Sequence, residues 1–202
     1  MSAPQPFEPP QAPPRPGCAS AEVVELARTP AALERVLLRG ETPDLDALVG
    51  WEYRGLNAAF WAPYSPIQKF VKGFYRAQRG PDAGRVYGYN LPVVQNGPEG
   101  PWLAKPSEEA PKRFGFFLVT DVDPTSRDAA YLHALLLDYG RGRNALFEPA
   151  KGLRDYLVRV HPGSDELILG KATYAVGPLR VATNYFLLER RRRTDWVRPL
   201  HA

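Results

Sequence analysis

The chain has 202 residues, of which 44% are hydrophobic and 24% charged, a composition typical of one globular domain with a sizeable core. Its 3 histidines and single cysteine exclude a disulfide framework and show no zinc-ligand spacing, so we expect no metal and no other cofactor. The net charge of +4 is mild, and no apolar run reaches the length of a membrane span, so we expect a cytoplasmic protein with no transmembrane segment.

The N-terminal part of the sequence divides into a tail and a helical segment. Residues 1–17 contain 7 prolines, which predicts a disordered or polyproline-type tail. Residues 18–48 predict helices, because Leu33, Val36 and Leu37 recur at helical spacing. Such a narrow apolar stripe indicates that this helical lead-in packs on a larger body.

Capping residues predict where these helices begin. Ser20 is a candidate N-cap for the first helix, and Thr29 followed by Pro30 predicts the start of the second. Thr42 followed by Pro43 predicts a short third helical turn.

From residue 49 the hydrophobic period changes from that of a helix to that of a strand. Trp51 and Tyr53 alternate with Glu52, which predicts a half-buried strand over residues 49–57. The next segment, residues 66–76, predicts a helix, because its apolar residues recur at i, i+3, i+4 and i+7: Ile67, Phe70, Val71 and Phe74.

The rest of the chain predicts strands separated by turns rich in Gly, Pro, Asn and Asp. The predicted strands are residues 85–94, 113–122, 131–139, 153–160, 165–176 and 179–190. No segment between Arg113 and Arg190 has the length and period of a crossover helix, so we expect antiparallel pairing. Residues 49–202 therefore predict a mainly β fold, an antiparallel barrel of about seven or eight strands. Some strands are apolar on both faces, which requires either a covering helix or a partner subunit, as in a homodimer.

One short motif resembles a phosphatase signature. Asp121, Asp123 and Thr125 follow an apolar run, as in the D-x-D-x-T signature of haloacid-dehalogenase-type phosphatases. Those enzymes need parallel strands and helical crossovers, whereas this chain continues as strands. The sequence therefore favours a turn capped by one of the two aspartates.

A second motif is similar to a nucleotide-binding turn. Gly140 and Gly142 follow a predicted strand, but Asn144 stands where a third glycine would be, and Pro149 leaves no room for the helix that such sites need. The pattern favours a loop between strands.

Few residues could serve as nucleophiles or proton donors. Cys18 lies in the proline-rich arm, and His161 precedes a proline in a predicted turn. His133 lies within a predicted apolar strand, so it either lines a cavity as an acid-base group or is satisfied by a nearby backbone group.

The basic run from Arg190 to Arg193 could neutralise phosphates. Glu189 and Asp195 flank it, and it lacks the interleaved aromatic residues of single-strand binders, so it favours a solvated strand end. We therefore expect no nucleic-acid partner.

The order of elements resembles a known superfamily. The strand Trp51-Glu52-Tyr53-Arg54-Gly55 and the late strand Asn184-Tyr185-Phe186-Leu187-Leu188-Glu189-Arg190 look like those of the lipocalin-like (calycin) superfamily, and the first stretch is also similar to the GXWXG group of proteins. The resemblance implies a barrel with an internal cavity for a small apolar molecule. It also implies that Arg190 packs over Trp51 and closes one end of the barrel.

The predicted function is therefore binding of a small hydrophobic molecule inside the barrel. The residues expected to line that site are Trp51, Tyr53, Tyr87, Tyr89, Phe116, His133, Tyr156 and Tyr185. One alternative is an isomerase or cyclase that uses His133 and Tyr156 in the same cavity. Another is a structural or interaction protein whose barrel is filled by side chains.

Overall fold

A computed structural model describes residues 18–58, 67–145 and 147–199 of the chain. The predicted tail, residues 1–17, lies outside the described residues. The core of the fold is a closed barrel of eight antiparallel strands. The strands are β1 (Trp51–Ala58), β2 (Lys69–Arg76), β3 (Val86–Pro92), β4 (Phe114–Asp121), β5 (Leu135–Asp138), β6 (Leu153–Arg159), β7 (Leu167–Val176) and β8 (Leu179–Arg193).

Each strand pairs with the next strand in sequence, and β8 closes the barrel by pairing with β1. This meander confirms the predicted mainly β, antiparallel fold. The strand predicted over residues 131–139 is shorter than expected, because β5 begins only at Leu135.

The helix predicted over residues 66–76 is wrong, since this segment forms β2. The strand is buried on both faces, with Phe70 and Phe74 on one side and Val71 and Tyr75 on the other. A strand that is apolar on both faces loses its alternation, and its apolar residues then fall by chance at helical spacing.

Three short helices precede the barrel: α1 (Ala21–Ala27), α2 (Pro30–Arg39) and α3 (Leu45–Leu48). The Ser20 side chain caps α1 by accepting a hydrogen bond from the backbone N–H of Val23, as its position predicts. The third helix starts later than expected, because Asp44 rather than Thr42 is its N-cap. No helix of the described residues is long and apolar enough to cross a membrane.

Two clusters of buried side chains occupy the two faces of the barrel wall. The interior cluster contains Tyr53, Phe74, Phe117, Leu137, Leu157, Ile168, Phe186 and Leu188. Edge-on aromatic contacts run through it, with ring centroids 5.7 Å apart for Tyr53 and Phe74 and 5.9 Å apart for Phe74 and Phe117.

Glycines on the paired strand leave room for two of these interior rings. A Cβ at Gly88 would come within 2.2 Å of the Phe117 ring, and one at Gly170 within 2.1 Å of the Phe186 ring. At these two positions the packing of the interior rings depends on the absence of a side chain at glycine.

Segments of the chain itself cover much of the outer face of the barrel. Helix α2 packs against β6 and β7 through Leu33 and Leu37. Trp102 donates a hydrogen bond to the carbonyl oxygen of Phe70, and Trp196 stacks on Phe116 at 6.2 Å between ring centroids. Because these segments cover apolar strand faces, a partner subunit is not needed to bury those faces. The homodimer therefore stays a prediction.

Candidate functional site

The predicted ligand-lining aromatics lie on different faces of the barrel. Tyr53 belongs to the interior cluster, and Trp51 packs against that cluster from one end. The remaining predicted aromatics belong to, or pack against, the cluster on the outer face: Tyr87, Tyr89, Phe116, Tyr156 and Tyr185. The structure therefore does not bring the predicted set together around one interior space.

The contact expected at the end of the barrel is present. The Arg190 guanidinium lies 4.7 Å from the centroid of the Trp51 ring, and Arg193 lies 4.2 Å from the same centroid. Arg190 also donates to the Tyr53 hydroxyl at 3.2 Å. Burial raises the pKa of Tyr53 to about 12, although Arg190 opposes this shift.

His133 lies in a turn before β5, outside the barrel wall. Its Nε2 atom is 2.8 Å from the backbone carbonyl oxygen of Leu37, at the end of α2. The hydroxyl of Thr42 donates to the carbonyl oxygen of His133. These contacts fit a histidine satisfied by neighbouring backbone, and they place the His133 imidazole outside the interior.

The two short motifs that resemble a phosphatase signature and a nucleotide-binding turn make the contacts expected of loops. Asp123 accepts hydrogen bonds from the backbone N–H and the hydroxyl of Thr125, at 2.8 and 2.7 Å, as expected for a capped turn. A Cβ at Gly142 would lie 1.8 Å from the carbonyl oxygen of Phe116, so this glycine allows the loop to pass close to β4.

The basic run at the end of β8 is paired with carboxylates. Arg190 lies 2.6 Å from Glu166, and Arg191 lies 3.3 Å from Glu108. Arg192 contacts both Glu52, at 2.8 Å, and Glu108, at 2.7 Å. These ion pairs fix the end of β8. They also neutralise part of the positive charge that could otherwise bind phosphate groups.

A buried polar cluster, which the sequence did not predict, lies inside the barrel. It consists of Lys72, Asn90, Tyr139 and Asp155, and we call it the interior lysine cluster. The exposed fraction of Lys72 is 2% and that of Asp155 is 3%. The Lys72 ammonium donates to Asn90 Oδ1 at 3.0 Å, to Asp155 Oδ2 at 3.3 Å and to the Tyr139 hydroxyl.

Aromatic rings surround the ammonium of the interior lysine cluster. The Nζ atom of Lys72 lies 4.9 Å from the ring centroid of Phe117 and 5.1 Å from those of Tyr139 and Phe186. Burial lowers the pKa of Lys72 and raises the pKa of Asp155, in each case against the attraction between them. Three acceptors match the three N–H donors of the ammonium, so the lysine is satisfied within the protein.

The sequence contains a pattern that indicates this cluster, but the pattern has more than one interpretation. Lys72 stands between Phe70 and Phe74, and Asp155 stands between Leu153 and Leu157, so each charge shares a strand face with apolar neighbours. A charge in that position predicts a buried partner. The helix predicted over β2 obscured the pattern around Lys72.

A cleft lies on the outer wall of the barrel, and we call it the outer cleft. Its volume is about 510 Å³, within the range of small-molecule sites. The β2–β3 hairpin, the loop after β5 and the C-terminal segment form its sides. The lining residues are Tyr75, Ala77, Gln78, Arg79, Asp82, Tyr87, Gly142, Arg143, Val197, Arg198 and Pro199.

Two largely buried tyrosines, each with an exposed fraction of 5%, are among the lining residues of the outer cleft. The rings of Tyr75 and Tyr87 are stacked, with centroids 6.0 Å apart and an interplanar angle of 25°. Burial raises the pKa of Tyr75 to about 12, and burial together with Asp82 raises the pKa of Tyr87. Both hydroxyls are therefore neutral near pH 7 and can donate hydrogen bonds.

Arg143 stands at the edge of the outer cleft in an unusual conformation. Among the described residues it is the one non-glycine with a positive φ, 57°. This backbone region costs a non-glycine residue about 1 kcal/mol. Its side chain pairs with Asp82, which also pairs with Arg85 at 3.0 Å.

Chemically, the outer cleft combines guanidinium groups with a carboxylate, which suits polar and charged contacts with a small molecule. Within the described residues, no group of three or more His, Cys, Asp and Glu side chains could hold a metal ion. Comparison of the chain with protein-family models, with curated proteins and with solved structures found no match, so its functional interpretation rests on this geometry.

Proposed function

We propose that the protein is a lipocalin-like binding protein whose small-molecule site is the outer cleft rather than the barrel interior. The observation that supports this proposal is the difference in free space between the outer cleft and the barrel interior. The outer cleft has a volume of about 510 Å³, whereas interior side chains such as Phe74, Phe117 and Ile168 have no exposed surface.

The calycin resemblance implies a binding function and an interior site, but the packing of the interior does not favour that location. An apolar ligand inside the barrel would have to displace rings that lie against Gly88 and Gly170. The outer cleft needs no such displacement, since its space is already open.

The enzyme hypothesis has less support from the geometry. His133 contacts α2 on the outer face, and Tyr156 donates its hydroxyl to the carbonyl oxygen of Asp128. The two residues therefore do not converge on a shared cavity, as an acid-base pair would need to. The filled interior does favour the structural alternative, so the test below must separate that alternative from ligand binding.

The test is native mass spectrometry of the protein recovered from its own organism, with and without a blocked cleft. Gln78 is exposed and lines the outer cleft, so Gln78→Trp would fill the space without disturbing buried residues. The matched control is Lys112→Trp, at an exposed position away from the cleft.

We expect a small molecule to accompany the original protein and the Lys112→Trp variant, and to be lost from Gln78→Trp. If Gln78→Trp retains the molecule, the site lies elsewhere, and the interior becomes the candidate. If no molecule accompanies any of the three proteins, the structural alternative is favoured.

A further inference from the structure

The hairpin formed by β7 and β8 extends beyond one end of the barrel. Strand β8 has 15 residues, whereas β1, which pairs with it to close the barrel, has 8. The pairing of β8 with β1 stops where Tyr185 meets Ala58, while its pairing with β7 continues to Leu179 opposite Val176. Within the part of the chain that the structure describes, residues 179–183 therefore have a strand on one side only. We call these residues the β8 edge.

The hairpin exposes apolar side chains along the β8 edge. Val176 lies opposite Leu179 and Tyr174 lies opposite Val181, so these side chains share one face of the hairpin. The exposed fractions of Val176, Leu179 and Val181 are 54%, 64% and 50%. Soluble proteins usually protect a free strand edge with exposed charges, with a proline or with a covering segment. An edge that instead exposes valine and leucine is suited to pairing with another strand.

The charged residue of the β8 edge is neutralised within the protein. The Nε atom of Arg180 donates to the Asp128 carboxylate, and its NH1 group donates to the carbonyl oxygens of Gly177 and Leu179, at 3.2 and 3.0 Å. The side chain of Arg180 is only 16% exposed. Because this guanidinium is paired, two identical edges can approach one another without strong repulsion between like charges.

These features decide which class of partner fits the β8 edge. A lipid surface would cover the apolar side chains but would leave main-chain N–H and C=O groups of the edge without hydrogen-bond partners. A nucleic acid needs positive charge that is free to pair with phosphates, and the only guanidinium of the edge is already paired. An extended strand of a polypeptide satisfies both the main-chain groups and the apolar side chains. A second copy of this chain supplies such a strand.

We propose that the protein forms a symmetric dimer in which the β8 edges of two copies pair as antiparallel strands. Two identical strands can pair in this way about a two-fold axis, so that every contact is made twice. The register that pairs the whole edge places the axis at Val181. Val181 then lies opposite the partner's Val181, and Leu179 lies opposite the partner's Thr183. This dimer does not depend on whether the outer cleft binds a small molecule.

Sedimentation velocity at two protein concentrations tests the proposal. An interface made by one strand edge is small, so we expect a weak dimer that predominates at about 100 µM and dissociates at about 1 µM. Val181→Lys would place two ammonium groups opposite one another at the two-fold axis, and it should leave only monomer at the higher concentration. Because Val181 is half exposed, the variant should fold, and thermal unfolding followed by circular dichroism checks this.

The matched control is Leu132→Lys. Leu132 is also an exposed apolar residue, but it lies in the turn before β5, at the opposite end of the barrel from the β8 edge. This variant adds the same charge and should dimerise as the original protein does. Hydrogen exchange provides a second measurement, since amides of residues 179–183 should exchange more slowly at the higher concentration.

Three outcomes would overturn the proposal. If the original protein is a monomer at the higher concentration, the second copy is not the partner, and a strand from a different protein becomes the candidate. If Val181→Lys still forms the dimer, the interface lies elsewhere on the surface. If Leu132→Lys dissociates the dimer to the same extent as Val181→Lys, added charge rather than the β8 edge explains the loss.

Discussion

The interior lysine cluster and the outer cleft use the same kinds of side chain for different purposes. In the interior, Lys72 finds three acceptors, one of them on Asp155, and almost no surface remains exposed. In the outer cleft, charged groups such as Arg79 and Asp82 stand beside open space. The comparison teaches that a buried charge among aromatic rings needs no ligand where protein partners satisfy it, whereas charged groups beside open space mark a candidate ligand site.

The largest expected effect comes from breaking the interior pair. Asp155→Ala removes the carboxylate partner of Lys72 and should lower the free energy of unfolding by about 3–5 kcal/mol. Urea denaturation measures this change. The control is the double variant Lys72→Met with Asp155→Leu, which removes both charges and should recover most of the loss. A loss below about 1 kcal/mol in the single variant would mean that the pair is solvated.

A smaller effect is expected where interior rings meet glycine. Gly170→Ala should lower the free energy of unfolding by about 1–3 kcal/mol, because the new methyl group would collide with the Phe186 ring. Adding Phe186→Leu should restore part of the loss by vacating that space. If Gly170→Ala alone is stabilising, the interior has room that a ligand could use, and the contrast with the outer cleft weakens.

Alkaline pH should destabilise the protein through its buried tyrosines. Burial raises the pKa of Tyr53, Tyr75, Tyr89 and Tyr156 to about 12, above the ordinary value of 10.0. Between pH 10 and 12 the folded state therefore keeps protons that the unfolded state releases, so stability falls as pH rises.

The Tyr156→Phe variant measures one contribution to this pH dependence. Its free energy of unfolding should fall less steeply above pH 10, by up to about 1.4 kcal/mol per pH unit. Urea denaturation at pH 9, 10 and 11, with tyrosinate absorbance as the readout, measures the slope. An unchanged slope would show that Tyr156 ionises freely in the folded protein.

The smallest effect on stability is expected at the outer cleft. Arg143→Gly relieves the positive φ, which gains about 1 kcal/mol, and loses an exposed ion pair with Asp82, which costs about the same or less. Thermal unfolding should therefore change little, in contrast to Asp155→Ala. A loss of more than about 2 kcal/mol would assign Arg143 a structural role like that of the interior pair.

The barrel could be predicted from the sequence largely because its turns have a recognisable composition. Gly, Pro, Asn and Asp separate most strands, and the absence of crossover helices from Arg113 to Arg190 implies antiparallel pairing. Strand β2 was missed, since Val71 and Phe74 are apolar on opposite faces and leave no alternation to detect.

The candidate site was harder to predict, for two physical reasons. Because both faces of the wall are apolar, nothing in the sequence distinguishes an inward ring such as Phe117 from an outward one such as Phe116. The outer cleft also joins three segments that are distant in sequence, represented by Tyr75, Arg143 and Arg198. By contrast, the contact between Trp51 and Arg190 could be predicted, because the calycin resemblance implies that these two side chains pack together.

The pairing of β1 with β8 has a consequence for how the chain reaches its native state. Glu52 on the first strand and Arg192 on the last are 140 positions apart, yet they share an ion pair at the seam. A ring of strands closed by such distant partners has a high contact order, which slows folding. Until β8 has paired with both of its neighbours, β1 and β7 each expose an open edge. A newly synthesised chain is therefore prone to aggregation until its last strand has folded.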